Sequence, residues 1–198
     1  HGTNVPREVW QFGEKGTSYY DNQVKYIHLR YRLLPYIYSM SHQVTANSYT
    51  LLRGLAMDFT TDTRTFDIDN AYMFGTSLLV RPVFHPQSEE KNISVYLPEH
   101  NGGYWYDFWT GKAFEGGREQ MQANTLDILP LYVKAGSILP LAEVKQYVME
   151  YPDRELELRI TERRTLLSYG MRMKATPTAM KTAYVPKYRC NGKIRNGH

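Results

Sequence analysis

At 198 residues, with 42% hydrophobic and 22% charged side chains, the chain has the make-up of an ordinary globular protein of one large or two small domains, which excludes a disordered or collagenous one. No apolar run is long enough to form a membrane-spanning helix, and the single cysteine, Cys190, excludes an intrachain disulfide. The net charge of +4 is uneven: residues 161–198 hold nine Lys/Arg against one acid, Glu162, while residues 1–160 hold 15 basic and 19 acidic side chains.

His1 to Gly16 is polar, carries Pro6, Gly2, Gly13 and Gly16, and reads as a long loop. From Tyr19 to Ala46 a helical period takes over. Tyr20, Val24, Ile27, Tyr31, Leu34 and Tyr38 recur every three or four residues, the stripe of a helix packed on a core. Asp21 is its expected N-cap, and Pro35, which lacks a backbone donor, should kink or interrupt it. Leu51–Phe59 is apolar but of undecided type, and the polar Thr60–Thr65 ends it.

Beyond Asn70 the period shortens. Ser77–Phe84, Ile93–Leu97, Tyr104–Trp109 and Ile128–Val133 are short apolar or aromatic runs separated by Pro86, Pro98, Gly102-Gly103, Gly111 and Gly116-Gly117. That punctuation predicts an antiparallel sandwich, with a boundary to the helical part near residues 60–72. Glu155–Ile160 alternates with period two and predicts one further strand.

The chemistry is sparse. There is no phosphate-cradling glycine loop, no paired CxxC and no HExxH. The aromatics, 17 Tyr, 7 Phe and 3 Trp, suit sugar stacking but suit a β-rich core more simply. Glycosidic cleavage needs two carboxylates flanking the bond. Asp58, Asp62, Asp67 and Asp69 lie in a loop-like stretch where Asp is at home as a turn former. From residues alone the chain reads as a helix followed by a β-sandwich, with no self-contained active site.

Eight stretches, in order, resemble glycoside hydrolase family 31, the α-glucosidases and α-xylosidases. They are His1-Gly2 with PREVWQFG (6–13), LRYRLLPYIY (29–38), YMFG (72–75), LLVRPV (78–83), VYLP (95–98), WYDFWTG (105–111), Gly116-Gly117, and PLYVKAGSILP (130–140). The resemblance implies an α+β fragment: the last helix of a (β/α)8 barrel followed by an all-β antiparallel sandwich. Residues 1–60 would be the C-terminal end of the catalytic barrel, 61–143 the proximal sandwich and 144–160 the start of a distal one. The family's two catalytic aspartates lie upstream of the His-Gly turn, so the resemblance implies no catalytic residue here, no metal and no cofactor. It implies one substrate-binding residue, His1, matching the histidine that hydrogen-bonds a sugar hydroxyl in the −1 subsite. A neutral imidazole both donates and accepts, which suits a hydroxyl.

Trp10 and Phe12 are expected to pack the loop against the last helix, and Arg30 and Arg32 to pair with barrel carboxylates rather than nucleic acid. Arg81 stands where relatives have a small residue, and Asn70 where they have Gln. After Ile160 the resemblance stops. Relatives continue with an acidic stretch like TLYEDEGDSYxYxxG, whereas residues 161–198 are basic and Met-rich. Shifting the back-translated frame of Tyr169–Ala183 by two nucleotides can spell WDEDEGDTYGYEDG, so a frameshift near residue 160 is expected, with an out-of-frame or disordered tail.

The whole implies part of a retaining α-glycoside hydrolase that releases terminal α-linked glucose or xylose from an α-linked oligosaccharide. The alternative is a non-catalytic carbohydrate-binding β-sandwich module. The apolar helix stripe, for which a lone sandwich has no use, favours the first.

Overall fold

The computed structural model describes residues 7–101, 103–148, 150–151, 155–162 and 181–186. His1 lies outside them, and so does most of the basic tail. A 3-10 turn at Val9–Phe12 leads into two helices, α1 (Ser18–Arg32) and α2 (Leu34–Asn47). The expected kink at Pro35 is a full break. In a continuous helix the carbonyl of Arg32 would take the N–H of Tyr36; instead it accepts the N–H of Ala142 at 2.7 Å, which ties the break to the sheet side of the molecule. The N-cap is Thr17, not Asp21. Asp21 sits in the first turn, where negative charge is favoured, and its Oδ1 accepts the N–H of Gly16 at 3.1 Å.

The undecided stretch after the helices is β1 (Leu52–Gly54) and a single turn, α3 (Leu55–Asp58). Then come β2 (Tyr72–Phe74), β3 (Leu78–Val80), β4 (Asn92–Leu97), β5 (Tyr104–Asp107), β6 (Ala113–Glu115), β7 (Arg118–Ala123), β8 (Leu131–Lys134), β9 (Ile138–Leu141), β10 (Glu155–Ile160) and β11 (Lys181–Pro186). A six-stranded antiparallel sheet runs β1-β2-β3-β8-β5-β6; β4 pairs with β7, and β11-β10-β9 make a third sheet. Because β1 already pairs with β2, the sheet-bearing unit begins before residue 61. Lys181–Pro186, inside the expected disordered tail, pairs along all six residues of β10. The sequence reading also missed β7, whose Arg-Glu-Gln-Met-Gln-Ala has almost no apolar content; register with β4 holds it instead.

Two cores flank the six-stranded sheet, and period two sorts its residues between them. Leu78, Val80, Tyr106, Leu131 and Val133 face the helices, joining Leu29, Leu33, Tyr36 and β9's Leu139 and Leu141. Leu79, Trp105 and Tyr132 face the other way, against Ile93, Val95 and Leu97 of β4 with Leu55, Phe59 and Met73. Strands buried on both faces explain why they read as unbroken apolar runs. The departure at Arg81 is also accommodated here: its buried guanidinium donates to the carbonyls of Ser94 and Pro82 and lies 5.5 Å from the Phe84 ring.

One latch fixes the helices on the sheet. The Tyr36 hydroxyl donates to the Phe74 carbonyl at 2.8 Å and accepts the N–H of Ser77 at 3.1 Å. The β2–β3 turn approaches so closely that a Cβ on Gly75 would stand 2.3 Å from that hydroxyl, and Gly75 holds φ +62°.

Candidate functional site

The α1–α2 arm has three faces. The near face is Leu29, Leu33 and Tyr36, buried in the sandwich. The far face carries Tyr20, Ile27, Tyr31 and Tyr38, none of them fully buried, and Tyr38 is 82% exposed. This is the apolar stripe visible in the sequence, and it points away from the core that the helix does have. The Val9–Phe12 turn lies beside α1 but buries nothing: Trp10 is 68% exposed, so it does not seal the loop as the sequence suggested.

The third face is a flank. Asp21, Lys25, His28 and Arg32 follow one another at spacings of four, three and four, which puts them on one side of α1. Together with Val24, Leu29, Phe108, Trp109 and Arg159 they line a groove of about 530 Å³. Trp109 is held rigidly at its wall. Its indole N–H donates to the Leu129 carbonyl at 2.8 Å, its backbone N–H to Asp107 Oδ1 at 2.9 Å, and the rings of Phe108 and Tyr26 meet it edge-on. The Lys25 ammonium sits 4.6 Å from the Trp109 ring centroid. Tyr26 is itself pinned between Asp127 and Leu129, and burial pushes its phenol up from the ordinary value.

The groove's charges are nearly balanced. Arg32 pairs with Glu157 of β10, not with a carboxylate from outside, which corrects the expectation for that residue. Glu157 Oε1 accepts Arg159 Nε at 2.7 Å, and Arg159 also donates to the Phe108 carbonyl at 2.7 Å while stacking on that ring. A second cavity of about 400 Å³ adjoins the first through His28 and is lined by Tyr31, Tyr151, Gln146 and Glu150 among others. Spacing alone could have flagged the flank; the contribution of Trp109 and Arg159 depends on tertiary structure.

None of the four loop aspartates lies in either cavity. Asp58 pairs with Arg53 at 2.8 Å. Asp62 is 6% exposed and accepts from the Tyr96 hydroxyl, the Glu99 N–H at 2.9 Å and Arg64 Nε at 3.1 Å. Burial opposes its charge, but those donors outweigh burial and hold its carboxyl below the ordinary range. Asp67 and Asp69 are exposed. Among the described residues no group of three His, Cys, Asp or Glu stands where it could hold a metal ion, and no helix is long and apolar enough to cross a membrane.

Residues 1–40 match the model of the glycosyl hydrolases family 31 TIM-barrel domain, and residues 48–139 match that of the glycosyl hydrolase family 31 C-terminal domain. The first match ends inside α2 and the second begins just after it. The chain belongs to glycoside hydrolase family 31. An α-xylosidase of Saccharolobus solfataricus is 48% identical over 141 residues, 71% of this chain and 18% of the relative. An α-glucosidase 2 of Bacillus thermoamyloliquefaciens is 31% identical over 155 residues, 78% of this chain and 18% of the relative. The solved family 31 dextranase of Flavobacterium johnsoniae, complexed with glucose, superposes with a TM-score of 0.71 at 30% identity, covering 82% of this chain and 19% of the dextranase. The chain therefore spans about a fifth of the length of these family 31 proteins. Three different activities share this region, so it is a common family 31 frame.

Proposed function

We propose that this chain is the C-terminal part of a retaining α-glycoside hydrolase that releases terminal α-linked glucose or xylose by double displacement, with both catalytic aspartates outside the chain. The observation that carries this reading is the two-sided arm. Its near face is built into the sandwich, and its far face holds Tyr38 and Ile27 exposed, an apolar surface of the kind that marks an interface. The barrel-domain match over residues 1–40 covers α1 and α2 as far as Met40, so the far face is read as the seat of the rest of the barrel. Active sites of such barrels lie at the C-terminal ends of the strands, where His1 would hydrogen-bond the −1 sugar.

By itself the chain should not turn over nitrophenyl α-glucoside or α-xyloside, and robust turnover would overturn the reading. Expressed in one piece with the coding region upstream, it should hydrolyse one of them, with the α-anomer as first product. In that enzyme His1→Ala should lower kcat/KM on the order of a hundredfold, the worth of a sugar hydrogen bond that tightens in the transition state.

A further inference from the structure

We propose that the groove between the flank of α1 and the Trp109 corner is a saccharide-binding site carried wholly by this chain, taking one or two pyranose rings. The choice of sugar as ligand rests on the hydrolase reading; the existence of the site rests on its geometry. At about 530 Å³ the groove is in the size range of small-molecule sites, which pair an apolar wall with a few converging polar groups. The half-buried Trp109 supplies the accessible wall, with the buried Phe108 behind it, and Trp109 is locked before any ligand arrives. An aromatic face pre-set in this way offers contact area at little entropic cost.

The polar groups suit hydroxyls better than an anion. Lys25, Arg32 and Arg159 donate, Asp21 accepts, and His28 adds an imidazole, a group with two ring nitrogens for hydrogen bonding, so a hydroxyl finds both kinds of partner. Glu157 already takes both arginines, the Lys25 ammonium donates to the Asp127 carbonyl, and Asp21 adds a negative charge on the same flank, so no strong positive field selects a phosphate or carboxylate. Among the described residues His28 has no hydrogen-bond or ionic partner, although it forms the shared wall of both cavities. The flank lies about a quarter turn around α1 from the far face. A barrel seated on Tyr20, Ile27 and Tyr38 therefore leaves this side of the helix free.

The test is a titration of the 198-residue chain in a Trp10→Phe background, following tryptophan emission as maltotriose, isomaltotriose, xylotriose or inorganic phosphate is added. Trp105 is fully buried, so the response reports Trp109. A saturable change with at least one trisaccharide is expected. His28→Ala, at an exposed position, should keep the circular dichroism spectrum and weaken that binding about fivefold or more. No saturable change with any saccharide, an unaltered affinity in His28→Ala, or a response to phosphate alone would each overturn the proposal. Hydrolysis by the joined enzyme is read separately, so either idea can fail without the other.

Discussion

The sandwich and the arm use the same apolar vocabulary with different results. In the six-stranded sheet, Leu78, Leu79 and Val80 alternate between two cores and each is buried, as are Trp105 with Tyr106 and Leu131, Tyr132 and Val133. In the arm, Leu29 and Tyr36 are buried while Tyr38, two residues on, is the most exposed large apolar residue of the described chain. A buried sheet is complete within its own sequence. In the arm, by contrast, the described residues cover one stripe and leave the other exposed. An apolar period thus shows that a face needs covering, not what covers it.

The sharpest break in the sandwich is Trp105→Ala. This side chain is fully buried between β4 and α3 and donates its indole N–H to the Pro98 carbonyl at 2.8 Å. Truncation should cost about 3–5 kcal/mol, enough to abolish a cooperative transition or lower its urea midpoint sharply. A loss under about 1 kcal/mol would mean the second core is not packed as described. Next is Gly75→Ala, which strains a positive φ and drives a methyl into the Tyr36 hydroxyl and Met40. A loss of about 2–3 kcal/mol is expected. Tyr36→Phe in the same background should recover part of it by removing the obstructing oxygen.

Asp62 sharpens the comparison through pH. Its folded carboxyl lies below the ordinary value, so it adds stability above the unfolded carboxyl range near about 4, and that stability is lost as pH falls through the folded value. Asp62→Asn should cost about 1–3 kcal/mol at pH 7, because a neutral amide receives the three donors less strongly and leaves one poorly matched. The variant's deficit should shrink on going from pH 7 toward pH 3 in chemical denaturation. A deficit that stays constant across that range would mean the carboxylate charge is not what holds the loop.

Much of this was legible in the sequence, for physical reasons. Pro35 removes a donor wherever it stands, so the helix break could be read directly. The doubly buried strands announce themselves as short runs of large side chains. What escaped depends on partners distant in sequence. Arg118–Ala123 is a strand only because β4 offers it a register, and the carboxylate that Arg32 pairs with, Glu157, arrives from 125 residues away in this chain rather than from the barrel. The Thr17 cap was missed because an acid in the first turn resembles a cap in sequence. Of the site, the flank spacing was readable; its aromatic wall comes from the turn after β5, distant in sequence.

The smallest effect in this chain should come from Tyr38→Ser on the far face. At 82% exposure the ring contributes little to the isolated fold, and the urea midpoint should move by less than about 0.5 kcal/mol equivalent. Aggregation should fall, because the change shrinks an uncovered apolar surface. The same substitution in the joined enzyme removes a ring from a filled interface and should cost about 3 kcal/mol or more. That reversal, neutral alone and damaging when joined, is what an unpartnered docking face requires. A loss above about 1 kcal/mol in the isolated chain would place Tyr38 in the core already formed and remove the difference between the arm's two sides.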